Sequence, residues 1–124
     1  MDILKAHGFD VIGIGKIHDI FAGKGLTDFN RIIGNANDMA ETSRVQQTDF
    51  HGLCFTNLVD FDMLYGHRND VTGYAEALEY FDKRLPDIII SYPIDMPHAG
   101  AKMPFLTYLI MPRNDSPALK GSRA

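Results

Sequence analysis

The apolar positions fall into two short unbroken runs and one long periodic stretch, and each predicts a different element. Asp10-Val11-Ile12-Gly13-Ile14-Gly15 is apolar through its middle and bounded by turn residues. Leu53-Cys54-Phe55-Thr56-Asn57-Leu58-Val59 is a second such run, rich in apolar and β-branched residues. Runs of this length and composition suit strands covered on both faces, as in a parallel sheet. From Asp70 the spacing changes. Tyr74, Leu78, Phe81, Leu85 and Ile88 recur at intervals of three and four, which places them on one face of a helix. Asp70 or Thr72 is the residue type that caps such a helix.

The connecting segments are read from their turn residues. Ile3 to His7 reads as the last turn of a helix with Gly8 as its stop, so the chain is expected to open inside an element. Lys16 to Phe21 leaves the first strand, and Ala22 to Thr27, with Gly23 and Gly25, forms a loop. Asp38 to Gln47 reads as a polar helix lying on the surface. Met63 to Asn69, holding Gly66 and His67, reads as a loop. The order of helix end, strand, loop, helix, strand, loop and helix is an α/β pattern.

The composition then shifts. All six prolines lie at or beyond Pro86. Residues 1–86 carry 8 Lys+Arg against 13 Asp+Glu, a net of −5, whereas residues 87–124 carry 4 against 3, a net of +1. Closely spaced prolines interrupt helices and central strands alike. Ile88-Ile89-Ile90 and Phe105 to Met111 are still apolar enough for short strands, and Asn114 to Ala124 reads as a loose tail.

Overall charge and composition exclude several functions. The net charge is −4, which argues against a general nucleic-acid binder, since that requires a basic patch. One cysteine, Cys54, allows no internal disulfide, and a cytoplasmic location fits. No apolar run approaches the roughly 20 residues of a membrane span, and the first residues lack a signal-peptide pattern.

The informative chemistry is at the end of the second strand. Asp60 and Asp62 follow its last apolar residue, and His67 comes five positions after Asp62. The carboxyl ends of parallel strands are where open α/β folds bind ligands. Carboxylate oxygen with imidazole nitrogen suits manganese, zinc or iron better than calcium. Taken on spacing alone, a capping aspartate and a surface histidine explain the same residues.

The words around those residues decide between the two. Phe55-Thr56-Asn57-Leu58-Val59-Asp60-Phe61-Asp62, then Gly66-His67-Arg68-Asn69-Asp70, closely resembles the metal-binding stretch of phosphopentomutases. Asn69 is the one departure within that ending. Gly73 to Pro86 and Val11 to Gly25 resemble the family's following helix and preceding strand and loop, in the right order. The resemblance covers roughly residues 1–87 and implies the partial parallel-sheet core of the alkaline-phosphatase-like fold, followed by an irregular Pro-rich segment at 88–124.

By resemblance, the family moves phosphate between the 1 and 5 positions of ribose or deoxyribose, using two Mn2+ ions and a phosphorylated threonine. The resemblance implies Asp62 and His67 as metal ligands. It implies Asp60 as an acidic residue beside them that supports the ligands without itself holding metal. Lys16, in the family's Gly-Lys step, is the candidate contact to a sugar phosphate. The same resemblance puts the first metal-binding aspartate and the threonine upstream of this chain, and further ligands in motifs absent from residues 88–124. Asp95-Met96-Pro97-His98 has the wrong spacing and neighbours for them. A disrupted reading frame or a truncated gene would produce such a tail.

Two readings follow. One is a phosphopentomutase-like piece inactive alone, or active only with a complementing chain. The other is a small α/β module that binds a partner protein or a phosphorylated metabolite without catalysis. The remaining residues are weaker candidates. Cys54 reads as a packed thiol, His18 and Asp19 as loop residues, and Phe21 and Phe29 as core or interface. Gly13 and Gly15 lack the third glycine of a dinucleotide fingerprint.

Overall fold

The computed structural model describes residues 1–90 and 105–110, with side chains described through residue 88. The strands are β1 (Asp10–Ile14), β2 (Asp28–Asn30), β3 (Gly52–Asn57) and β4 (Phe105–Ile110). The helices are α1 (Asp2–Ala6), α2 (Ile17–Ile20), α3 (Asn35–Gln46) and α4 (Val71–Ile90). The four strands form one parallel sheet in the order β2-β1-β3-β4. The two apolar runs are its central strands, as their composition predicts. The expected strand within Phe105 to Met111 is β4, paired with β3 from Gly52↔Phe105 to Asn57↔Ile110. The rest of the Pro-rich segment, including Asp95 and His98, lies outside the described residues.

Alternation along the strands divides the core between the two sheet faces. Ile14 and Cys54 pack with Val45 and Phe50, with Ile12 against them, so this face is covered by α3. Val11 faces the other way and packs with Ile17 and Leu26, joined by Leu4, Leu53 and Phe55, so that face is covered by α1 and α2. Gly13 is on this second face. A Cβ there would stand 3.0 Å from Ile17 Cγ2, so glycine is what lets α2 lie so close to β1.

A third cluster joins α3 to α4 through the segment after β3. It consists of Met39, Leu58, Phe61 and Ile88, with Tyr74, Ala77 and Phe81 packed against it. Phe61 is fully buried, with its ring 5.1 Å from that of Tyr74. The predicted helix face is therefore correct at Tyr74, Phe81 and Ile88, whereas Leu78 is exposed. Asp70 is the cap, since Gly73 N donates to its Oδ1 at 2.9 Å.

Four expectations need correction. Ile88 to Ile90 is the last turn of α4, not a strand, because Ile88 is held on the α3 cluster even though Pro86 removes a backbone donor within the helix. The segment from Met63 to Asn69 is a loop only from His67 on, for Phe61–Gly66 forms a π-helical turn. The polar helix α3 is not simply surface-lying: Asp38, Met39, Thr42 and Val45 are buried. Thr42 Oγ1 meets Thr56 Oγ1 at 2.8 Å, so a polar face packs through hydrogen bonds. Of the core-or-interface reading of Phe21 and Phe29 the core half fails, since both are exposed, and Phe29 lies against the ring of His18.

Candidate metal and phosphate site

The site starts from β3, whose end delivers three acidic or basic groups through one local distortion. Phe61 is drawn into the core, which leaves its neighbours Asp60 and Asp62 on the outside. The backbone then winds in a π-helical turn, with His67 N donating to Asp62 O at 3.0 Å. In an α-helix, positions five apart are separated by about 140° around the axis. A turn closed by i→i−5 bonds returns the fifth residue nearly to its starting side. Asp62 and His67 are five apart, and the π turn brings them together. Asp62 Oδ1 and His67 Nε2 are 3.2 Å apart, and both side chains are open to solvent.

That separation can be tested against a metal. Two atoms bound to one ion at bond lengths of about 2.1 Å, at angles between octahedral and tetrahedral, stand roughly 3.0–3.4 Å apart. The observed 3.2 Å falls within that range, and one carboxylate oxygen with one imidazole nitrogen is a donor set that manganese accepts. The residues present therefore fit a metal as a half-site. Among the described residues no group of three or more His, Cys, Asp or Glu side chains is placed to hold a metal ion.

Asp60 has a different task. Its Oδ2 accepts a hydrogen bond from Asn35 N at 2.8 Å, and its own backbone N donates to Asn35 Oδ1 at 3.0 Å. This reciprocal pair places a carboxylate at the N-terminus of α3, where the helix dipole favours negative charge. The turn carrying Asp62 and His67 is thereby fastened to α3. Beside it an open cavity of about 200 Å³ is lined by Asn35, Asp60, Tyr65, Glu76, Ala77 and Tyr80. Its two carboxylates would repel a phosphate.

Lys16 supplies the contrast. It follows Gly15, which ends β1 at a φ of 77°. A Cβ at Gly15 would stand 2.7 Å from Asn57 O and 3.4 Å from Asp38 Oδ1, so only glycine lets β1, β3 and α3 close together here. The Lys16 side chain has no hydrogen-bond or ion-pair partner among the described residues, while its carbonyl accepts from Ile20 N at 2.9 Å. It stands on the same carboxyl edge as Asp60 and Asp62, one strand away.

The sequence missed two features of this edge. Asp38 is fully buried in α3 with neither carboxylate oxygen hydrogen-bonded among the described residues. Burial, with Asp60 nearby, pushes its carboxyl up to about 7. The second is Arg31, just past β2, whose Nη2 is 2.8 Å from Asp19 Oδ1 and 2.7 Å from His18 Nδ1. His18 and Asp19 both lie in α2 and meet a strand-end arginine, rather than being plain loop residues. Cys54 is a packed thiol, as expected: it is fully buried, and burial pushes it up to about 11. Among the described residues no helix is long and apolar enough to cross a membrane.

Comparison with known proteins gives the family. The chain is similar to the phosphopentomutase of Lachnoclostridium phytofermentans, 56% identical over 88 residues, which is 71% of this chain and 23% of that protein. It is similar to the phosphopentomutase of Caldanaerobacter subterraneus subsp. tengcongensis, 51% identical over 90 residues, 73% of this chain and 23% of that protein. The phosphopentomutase of Agathobacter rectalis is 52% identical over 85 residues, 68% of this chain and 22% of that protein. The chain thus spans just under a quarter of the length of the curated relatives it matches. A family model for the metalloenzyme superfamily matches residues 8–93, a stretch containing Lys16, Asp60, Asp62 and His67, and on that match the chain belongs to the metalloenzyme superfamily.

Proposed function

We propose that this chain carries one metal half-site and the phosphate-facing strand edge of a phosphopentomutase-type isomerase, and does not turn over alone. The observation that carries the reading is the approach of Asp62 Oδ1 to His67 Nε2, 3.2 Å apart at the carboxyl edge of a parallel sheet. Asp62 and His67 would hold manganese, and Asp60 keeps their turn docked on α3. Bound there, the metal supplies Lewis-acid stabilisation of charge on a phosphoryl oxygen. Lys16 offers a positive charge to the phosphate of ribose or deoxyribose from the neighbouring strand.

The substrate class is a pentose phosphate, the setting nucleoside catabolism, and the compartment the cytoplasm. Two ligands are too few for a two-metal centre, and no described residue matches the family's phosphate-accepting threonine. A complementing chain would have to supply both. The division into a phosphopentomutase-like core at 1–87 and a divergent stretch at 88–124 without the family's register belongs to the same proposal.

The test is turnover. Purified chain with Mn2+ and ribose 1-phosphate should yield no ribose 5-phosphate. Adding a chain that spans the rest of the relatives' length should restore it, and restoration should be lost with His67→Ala. Turnover by the purified chain alone contradicts the proposal.

A further inference from the structure

We infer that Arg31 is a phosphate-binding residue that works from the same strand edge as Lys16. The inference rests on the proposed function for the identity of the edge, and its own argument is geometric. β2 pairs with β1 in the register Ile14↔Asn30, and Gly15 N donates to Asn30 O at 2.9 Å. Arg31 and Lys16 therefore leave adjacent strands at nearly the same level. β3 lies on the other side of β1 and leads to Asp60 and Asp62 at the same end of the sheet. Across the edge the order is Arg31, Lys16, then the carboxylates. A phosphate seated over the end of β1 has metal ligands to one side and two cations to the other.

The guanidinium is held rather than free. Its Nη2 reaches Asp19 Oδ1 at 2.8 Å and His18 Nδ1 at 2.7 Å, and its carbon lies 5.6 Å from the centre of the Phe29 ring. Phe29 in turn packs against His18, with ring centres 4.1 Å apart. Arginine only donates, so Nδ1 of His18 accepts and its proton is assigned to Nε2. Ion pairs between exposed groups add little to stability, and this pair is more than half exposed on both sides. The three contacts orient Arg31 more than they stabilise the fold. They engage one of its terminal nitrogens and leave the Nη1 and Nε donors for an anion. A planar fork of donors matches two oxygens of a phosphate.

The experiment uses the purified chain and two probes, inorganic phosphate and ribose 5-phosphate, each titrated by calorimetry. Arg31→Gln should weaken binding of both at least tenfold, and Arg31→Lys should weaken it less. Arg44→Gln removes another surface arginine, one paired with Glu41 on α3, and should change nothing. Circular dichroism checks that each variant is folded, and Arg31→Lys keeps the charge should Arg31→Gln fail to fold. Tighter binding of ribose 5-phosphate supports a site that also reads the sugar, and equal binding supports one that reads phosphate alone. Unchanged affinity in Arg31→Gln, an equal loss in Arg44→Gln, or no binding by the native chain overturns the inference. Manganese affinity, measured separately, should be the same in native chain and Arg31→Gln. Absence of manganese binding alongside Arg31-dependent phosphate binding contradicts the metal half-site and supports the role of Arg31.

Discussion

Asp38→Asn should make this protein more stable at pH 8 and remove most of its pH dependence between pH 4 and 7. Asp38 is fully buried, its two oxygens have no hydrogen-bond partner among the described residues, and Asp60 adds negative charge nearby. Its carboxyl is raised from 3.8 to about 7. The folded state therefore keeps the proton to higher pH than the unfolded state. Below about pH 4 both states are protonated and nothing is lost. As pH rises through the interval, the unfolded chain ionises first and gains stability relative to the folded one. The loss is complete near pH 7. At about 1.4 kcal/mol per pH unit the full interval amounts to roughly 4 kcal/mol, an upper figure because a little water reaching the site would lessen it. Against a usual total of about 5–15 kcal/mol that is a large fraction. Urea unfolding at pH 5 and pH 8, native chain against Asp38→Asn, measures it. Groups that titrate in both proteins cancel in the difference. The native chain should lose about 2–3 kcal/mol more than the variant between the two pH values. Parallel losses would refute the reasoning, since they would mean that Asp38 is ionised and solvated in the folded state.

Three further perturbations test the parts that position the site. Phe61→Ala empties the centre of the α3–α4 cluster and should cost about 3–5 kcal/mol by urea unfolding, enough to leave much of the chain unfolded at 37 °C. Asp60→Ala removes the carboxylate that accepts from Asn35 N and should cost about 1–2 kcal/mol, read as a lower urea midpoint at unchanged slope. Gly15→Ala must place a Cβ 2.7 Å from Asn57 O at a φ of 77°, and should lower the melting temperature well beyond a surface change such as Ala40→Gly.

The central strands were legible because their runs are unambiguous: Val11 to Ile14 and Leu53 to Thr56 are apolar or β-branched on both faces, and both faces are covered. Asp62 and His67 stood out through the words around them, and the structure sets Asp62 Oδ1 3.2 Å from His67 Nε2. The π turn that does so was not legible, because Phe61 to Gly66 carries no propensity that separates a π turn from a loop. Ile88 to Ile90 misled because three apolar residues suit a strand or a helix end equally, and only packing on Met39, Leu58 and Phe61 decides. The inward polar face of α3 was hidden for a related reason. Asp38 and Thr42 look like solvent-facing residues until Thr56 and Gly15 are placed opposite them. Arg31 gave no sign, since it stands alone in sequence and meets His18 and Asp19 only through the pairing of β1 with β2.

Thermal unfolding during a manganese titration, with the native chain beside Asp62→Ala and His67→Ala, tests the metal half-site most directly. Binding to the folded state raises the melting temperature as metal concentration rises. The melting temperature should rise with metal concentration in the native chain and in neither variant, with all three proteins melting together in the absence of metal. A native chain that does not respond, or variants that respond equally, would contradict it.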